Sequence, residues 1–199
     1  MSALLGSQRG IQTIGGYCPS TWAMVTIRLT TWVNAPVERC FRLATSVAFH
    51  SAKGWGGRVE NVPGATLQAG DTVSYSDWSP GLRLAHTNRI EEVRPFTYFR
   101  EEQVTGSFRE FRHEHYFAPM DDGTRIRDEV QFSLPLGPVG LMLERMLARR
   151  AMKKLLNQRH RSLKHTAESG EWQNYVQGEL ERVKAPERVA KVTKMQRLA

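Results

Sequence analysis

From Gly57 to Leu134 the apolar residues recur at nearly every second position, and after Pro138 they recur at three- and four-residue intervals instead. That change of period constrains the fold more than any other feature of the chain. Alternation marks strands with one buried face, and the later spacing marks an amphipathic helix. Strands are expected at 58–62, 71–78, 82–93, 97–104, 108–118 and 124–134. Turn formers separate them: Pro63-Gly64, Ser79-Pro80-Gly81, Arg94-Pro95, Gly106 and Asp121-Asp122-Gly123. Short turns of this kind join antiparallel neighbours. An earlier strand, 25–33, alternates Val25, Ile27, Leu29, Thr31 and Val33. Asn34-Ala35-Pro36 then starts a helix, with Asn34 placed to cap it and Pro36 in the first turn. A second short helix takes in 46–50, and the long helix runs from about 139 to 166. The sheet must bury its apolar face, and the long helix is the large element available to cover it. The expected fold class is α+β: a curved antiparallel sheet of about seven strands wrapped around a long C-terminal helix, with two short helices after the first strand. Strong curvature around one helix leaves room for a cavity.

The flanks read differently. Residues 1–23 lack periodicity and are expected to be a disordered extension, with Met24 a candidate start directly before the first strand. Residues 24–167 form the expected domain, and 168–199 a C-terminal extension that is partly helical and mobile. No apolar run approaches the roughly 18 residues of a membrane span, and no signal-peptide pattern opens the chain, so a cytoplasmic protein is expected. Cys18 and Cys40 have no metal-type spacing to each other or to histidine, and a bridge between them is not expected. No cofactor motif is visible. The Gly54-Trp55-Gly56-Gly57 loop lacks the spacing of a phosphate-binding loop, and Trp55 reads as a packed indole.

The most informative residues are polar ones inside an apolar face. Residues two apart on a strand share a face. Phe111, His113, His115 and Phe117 therefore point one way, as do Ile126, Asp128, Val130, Phe132 and Leu134, and as do Phe99, Glu101 and Gln103. The opposite faces carry Arg112, Glu114, Tyr116, Arg125, Arg127, Glu129 and Gln131, which suits solvent. Buried charges are costly unless paired, so the inward groups must pair with one another, line a wet cavity or meet a ligand. Three readings stay open: a network that fixes strand register, a ligand-orienting set, or a catalytic one. In the catalytic reading His113 or His115 is a general base oriented by Asp128 or Glu101. A zinc site from His113, His115 and a carboxylate is a variant of it, since histidines two apart on a strand can share a metal. Tyr75, Trp78, His86 and Ile90 read as packing residues rather than ligand contacts.

The order of elements, with three motifs, resembles the START-like, SRPBCC or helix-grip superfamily over about 25–167. The opening Val33-Asn34-Ala35-Pro36-Val37-Glu38-Arg39-Cys40-Phe41 is similar to the family's start. The run Phe99-x-Glu101-x-Gln103-x-x-Gly106-x-Phe108-x-x-Phe111-x-His113-x-His115-x-Phe117 resembles its ligand-binding, polyketide cyclase/dehydrase-like branch, where the Phe111 position is often Trp. Asp128-x-Val130-x-Phe132-x-x-Pro135 leads into the helix in the same way. The resemblance implies binding or carriage of a hydrophobic small molecule, lipid-, polyketide- or isoprenoid-like, between sheet and helix. The expected ligand-binding residues are Phe99, Glu101, Gln103, Phe111, His113, His115, Phe117, Asp128, Val130 and Phe132, with Met142 and Met146 from the helix. No residue is assigned a catalytic role outright; His113, His115 and Asp128 are the candidates for a cyclase or dehydratase, the alternative reading. A regulatory protein acting through its basic helix is the other.

The formal net charge is +8, which favours acidic partners. The charge concentrates on the long helix, where Arg145, Arg149, Arg150, Lys153, Lys154, Arg159, Arg161 and Lys164 are assigned to the outer face. That face suits plain solvation, or an anionic membrane surface met through Arg149, Arg150, Lys153 and Lys154. Nucleic acid is not an expected partner, because no helix-turn-helix, zinc finger or RNA-binding aromatic motif accompanies the charge.

Overall fold

A computed structural model describes residues 24–53, 57–58, 64–79, 82–134 and 144–176. In chain order the elements are β1 (Val25–Val33), α1 (Val37–Thr45), α2 (Val47–Ala52), β2 (Gly57–Arg58), β3 (Thr72–Ser79), β4 (Leu82–Arg94), β5 (Tyr98–Gly106), β6 (Glu110–Met120) and β7 (Gly123–Ser133). A π-helical turn, Glu144–Ala148, leads into α3 (Arg149–Glu168), and a 3-10 turn follows at Gly170–Trp172. The strands form one antiparallel sheet in the order β1-β7-β6-β5-β4-β3-β2. β2 to β7 is a simple meander, and β1 adds to β7 at the far edge. This is the curved helix-grip architecture that the periodicity predicts, with six long strands and a two-residue seventh. Among the described residues no helix is long and apolar enough to cross a membrane.

Two features bend the sheet. The β4–β5 pairing slips between Thr87 and Asn88 and again between Ile90 and Glu92, and such bulges kink a strand and increase its twist. Gly106, paired with His86, has φ +146, and a Cβ there would lie 2.4 Å from His86 Cα. Only glycine allows the two backbones to approach so closely.

α3 packs across β1 and α1 on the concave side. It separates the core into two parts. One gathers Val33, Phe41, Leu43, Phe49, Phe99, Phe117, Ile126 and Leu163; the other gathers Ile27, Phe108, Phe111, Val130, Phe132, Met152 and Leu156. Ile90 belongs to a smaller cluster with Leu67 and Val73. The chain stays packed past α3: Val176 is buried, and the Arg39 guanidinium lies 4.5 Å over the Trp172 ring.

Three local expectations are corrected. Asn34 does not cap α1; Pro36 holds that position, and the Asn34 backbone N–H donates to Glu168 Oε1 at 2.7 Å. Met146 and Leu147 do not face the sheet; they are 55% and 53% exposed. Arg159 is not on the solvent face but buried. The last two share a cause. A π-helical turn holds an extra residue, so it shifts the phase of the apolar stripe. The buried stripe of α3 runs Met152, Leu156, Arg159, Leu163, with Ala148 leading into it. Lys164 is half-buried, its ammonium bonded to Trp32 O and Glu168 Oε1 at 2.7 Å each.

Candidate functional site

The register places the inward polar residues side by side. Phe99 pairs with His115 and Glu101 with His113 across β5–β6, and His115 pairs with Asp128 across β6–β7. His113 bridges the two carboxylates, with Nδ1 3.1 Å from Glu101 Oε1 and Nε2 3.0 Å from Asp128 Oδ2. His115 does the same, with Nδ1 3.1 Å from Asp128 Oδ1 and Nε2 3.4 Å from Glu101 Oε1. The two imidazole centroids are 3.8 Å apart, and the Phe99 ring stacks on His115 at 3.9 Å. From β3 and β4, Tyr75 OH and Asn88 Nδ2 each donate to Glu101 Oε2 at 3.0 Å. α3 adds Arg159, whose guanidinium lies 3.6 Å from Glu101 Oε1. It also adds His160, whose Nδ1 is 2.7 Å from Thr31 Oγ1 and whose Nε2 is 3.1 Å from Asp128 Oδ2 but off the hydrogen-bond direction.

Glu101, His113, His115, Asp128, Arg159 and His160 are buried, so their charges are set by each other. Burial alone would raise the Glu101 pKa; hydrogen bonds from His113 and His115 and the charges of His113 and Arg159 outweigh it and hold the carboxyl well below its usual range. Burial is likewise outweighed at Asp128 by the imidazoles of His115, His160 and His113, and this carboxyl also sits well below normal. Burial pushes His113 down, but Asp128 and Glu101 prevail and raise it. At His115 burial, then the His113 charge, prevail over the carboxylates, and its pKa is lowered. Burial opposes the Arg159 charge, but Tyr75, Glu101 and Asp128 more than restore it. These directions favour Glu101 and Asp128 as carboxylates, Arg159 as a cation, and a proton on His113 in preference to His115.

This arrangement limits the chemistry. Both nitrogens of each imidazole face a carboxylate oxygen, so a general base here must first break one of those contacts. The Glu101, His113 and His115 ligand atoms lie within 4.8 Å of one another. The Arg159 cation beside the same Glu101 oxygen opposes a second cation there.

Two small chambers flank the cluster under α3. One of about 30 Å³ is lined by Tyr75, His86, Asn88, Glu101, Phe111, His113, Met152, Leu155, Leu156 and Arg159. The other, about 10 Å³, is lined by Ala44, His115, Phe117, Ile126, Asp128, Arg159, His160 and Leu163. The larger has room for one or two waters. Its lining contains two buried polar atoms with no hydrogen-bond partner among the described residues, Asn88 Oδ1 and His86 Nδ1. Burial lowers the His86 pKa to about 4, so that ring is neutral. It stacks on Tyr75 at 5.1 Å and lies 4.8 Å from the Phe111 ring.

A family model described as polyketide cyclase / dehydrase and lipid transport matches residues 24–168, most of the chain and all seven strands. The chain belongs to the polyketide cyclase/dehydrase and lipid transport family. Solved structures share its fold. The protein TTHA0849 from Thermus thermophilus superposes with a TM-score of 0.61 at 19% identity, over 72% of this chain and 97% of its own. The ZhuI aromatase/cyclase from Streptomyces sp. R1128 gives 0.61 at 13%, over 73% and 94%. A START superfamily protein from Mycobacterium smegmatis gives 0.54 at 12%, over 72% and 97%. A comparison with curated proteins found no match.

Within this polyketide cyclase/dehydrase and lipid transport fold, the expected site residues are distributed unevenly. Glu101, His113, His115 and Asp128 come together, and Phe99 and Phe111 pack on them. Phe117, Val130 and Phe132 are buried in the adjoining cores. Gln103 does not join: it is half-buried, and its amide bonds the Phe108 backbone at both C=O (2.8 Å) and N–H (3.3 Å) across the β5–β6 turn. Met146 faces solvent. Met142, Trp55 and the side chain of Trp78 lie outside the described residues. Sequence reasoning missed Arg159, His160 and Asn88. One signal could have found Arg159: it falls seven after Met152 and four before Leu163, on the stripe that the structure buries.

Proposed function

We propose that the protein binds or carries a hydrophobic small molecule, lipid-, polyketide- or isoprenoid-like, between the sheet and α3. One observation carries this reading: the larger chamber joins apolar walls (Phe111, Met152, Leu155, Leu156) to Asn88 Oδ1 and His86 Nδ1, buried polar atoms with no hydrogen-bond partner among the described residues. An apolar pocket with a few convergent polar groups is the usual construction of a small-molecule site. The family supports the same reading. Binding is favoured over cyclase chemistry because both imidazoles are buried between Glu101 and Asp128, and a substrate would first have to displace one of those carboxylates. At about 30 Å³ the chamber is too small for such a ligand, so its admission requires Met152, Leu155 and Leu156 to move away from the sheet. An unpaired amide oxygen accepts hydrogen bonds, which a hydroxyl donates and an ionised carboxylate cannot, so a hydroxyl-bearing ligand suits Asn88 Oδ1 better than a carboxylate.

The test is fluorescence titration with long-chain alcohols and with fatty acids of equal length. Alcohols are expected to bind more tightly, and Leu156→Trp, which fills the chamber, is expected to abolish binding while the protein stays folded. Saturable binding that Leu156→Trp leaves unchanged, or no binding of either series, overturns the proposal.

A further inference from the structure

We propose that the exposed face at the start of α3 is a docking surface for an anionic phospholipid bilayer. Arg149, Arg150, Lys153 and Lys154 are exposed and have no ionic partner among the described residues. The only acid in α3 is Glu168, its last residue, so nothing along the helix offsets these cations. Directly before them stand Met146 and Leu147, adjacent and each more than half exposed. The phase shift at the π-helical turn is what brings them there. From Met146 to Lys154 six of nine residues are these apolar and basic side chains, all exposed, so the apolar pair borders the basic cluster.

Charge and apolarity together select the partner. Cations near an anionic leaflet each strengthen binding, on the order of fivefold per residue. Apolar side chains at the same level enter the boundary between headgroups and acyl chains. A phosphate backbone would use the cations but gain nothing from Met146 and Leu147, and the face offers no aromatic ring for bases to stack on. The opposite face of the same helical turns carries Met152, Leu155 and Leu156, so a docked helix holds the bilayer against the outside of the chamber wall. Docking at this face does not depend on what the chamber binds.

The test is flotation of the full chain with vesicles of phosphatidylcholine alone and of phosphatidylcholine carrying phosphatidylglycerol. Binding is expected only to the second, weakening as salt rises. Lys153→Gln/Lys154→Gln should weaken it by roughly 25-fold, and charge reversal of all four cations by more than about a hundredfold. Met146→Ser/Leu147→Ser should weaken it at least about tenfold while keeping the salt dependence. These positions are exposed, so the melting temperature serves as a control for folding. Equal binding to both vesicle types, or none to either, overturns the proposal. So does unchanged vesicle binding by Met146→Ser/Leu147→Ser, or tighter binding to duplex DNA or single-stranded RNA at the same salt.

Discussion

Glu101→Gln is the most telling single change. The carboxylate is 1% exposed and meets five side chains: His113, His115 and Arg159 at Oε1, Tyr75 and Asn88 at Oε2. An amide keeps one acceptor and turns an N–H pair toward groups that are themselves donors. It also removes the charge, leaving the His113 and Arg159 cations to Asp128 alone. Removing one partner of a buried ion pair costs about 3–5 kcal/mol. For a domain of this size, about 2–4 °C of melting temperature is lost per kcal/mol, so a fall of at least about 6 °C is expected. Urea unfolding at neutral pH measures the loss directly. Arg159→Met separates charge balance from simple contact loss. The double variant Glu101→Gln/Arg159→Met again holds one carboxylate and one imidazolium. It should be less destabilised than the sum of the single variants by at least about 1 kcal/mol. A single-variant loss below about 1 kcal/mol, or an additive double, would refute the idea that the cluster is a charge-balanced unit.

Other outcomes follow from the same structure. His50 is fully buried with Nε2 2.8 Å from Ala44 O, and burial first, then the Arg159 charge, lowers its pKa to about 3. Below about pH 6.5 the unfolded chain gains a proton there that the folded chain refuses, so stability falls by about 1.4 kcal/mol per pH unit until about pH 3. His86, near 4, and His115, also lowered, act in the same direction. The stabilisation from His113, whose pKa is raised, is complete below about 6.5 and fades as pH rises through its folded value. Glu101 and Asp128 contribute undiminished above about pH 4 and lose their contribution only as pH falls through their low folded values. His50→Gln should therefore flatten the acid limb by about one proton's slope in urea titrations between pH 4.5 and 6.5; an unchanged slope contradicts the assignment. Gly106→Ala forces a side chain into a positive-φ site against the His86 backbone and should destabilise by more than about 1 kcal/mol, seen as a lower urea midpoint. Phe99→Ala removes the ring that stacks on His115 and touches Phe41 and Phe117, and thermal melts should register about 3–5 kcal/mol.

The fold was legible because period-two alternation is a local signal and the sheet is a meander. β3 to β7 fall within two residues of their predicted limits, since Gly106 and Asp121-Asp122-Gly123 mark the turns chemically. The side-by-side placement of Glu101, His113, His115 and Asp128 was legible for the same reason. Arg159 was hidden by helix phase: counting turns from Val139 through a π-helical segment assigns it to solvent, and no residue in that segment marks the extra residue. Asn88 lies between His86 and Ile90 on the same buried face of β4, so the alternation pointed to it and only its polar amide set it apart from them. Gln103 misled because its periodic position is right, but the Phe108 backbone is a nearer partner than the cluster.

The single guanidinium that α3 sends inward fixes where that helix is able to move. With β5, β6 and β7 assembled but α3 lifted at Arg159, two carboxylates would share one imidazolium, and an uncompensated anion would remain in an oily surrounding. Met152, Leu155 and Leu156 carry no such penalty. Charge thus fastens the helix at residue 159, while apolar packing holds its first turns. A guest that enters by raising those first turns leaves the fastened part seated, as a door swings without leaving its frame.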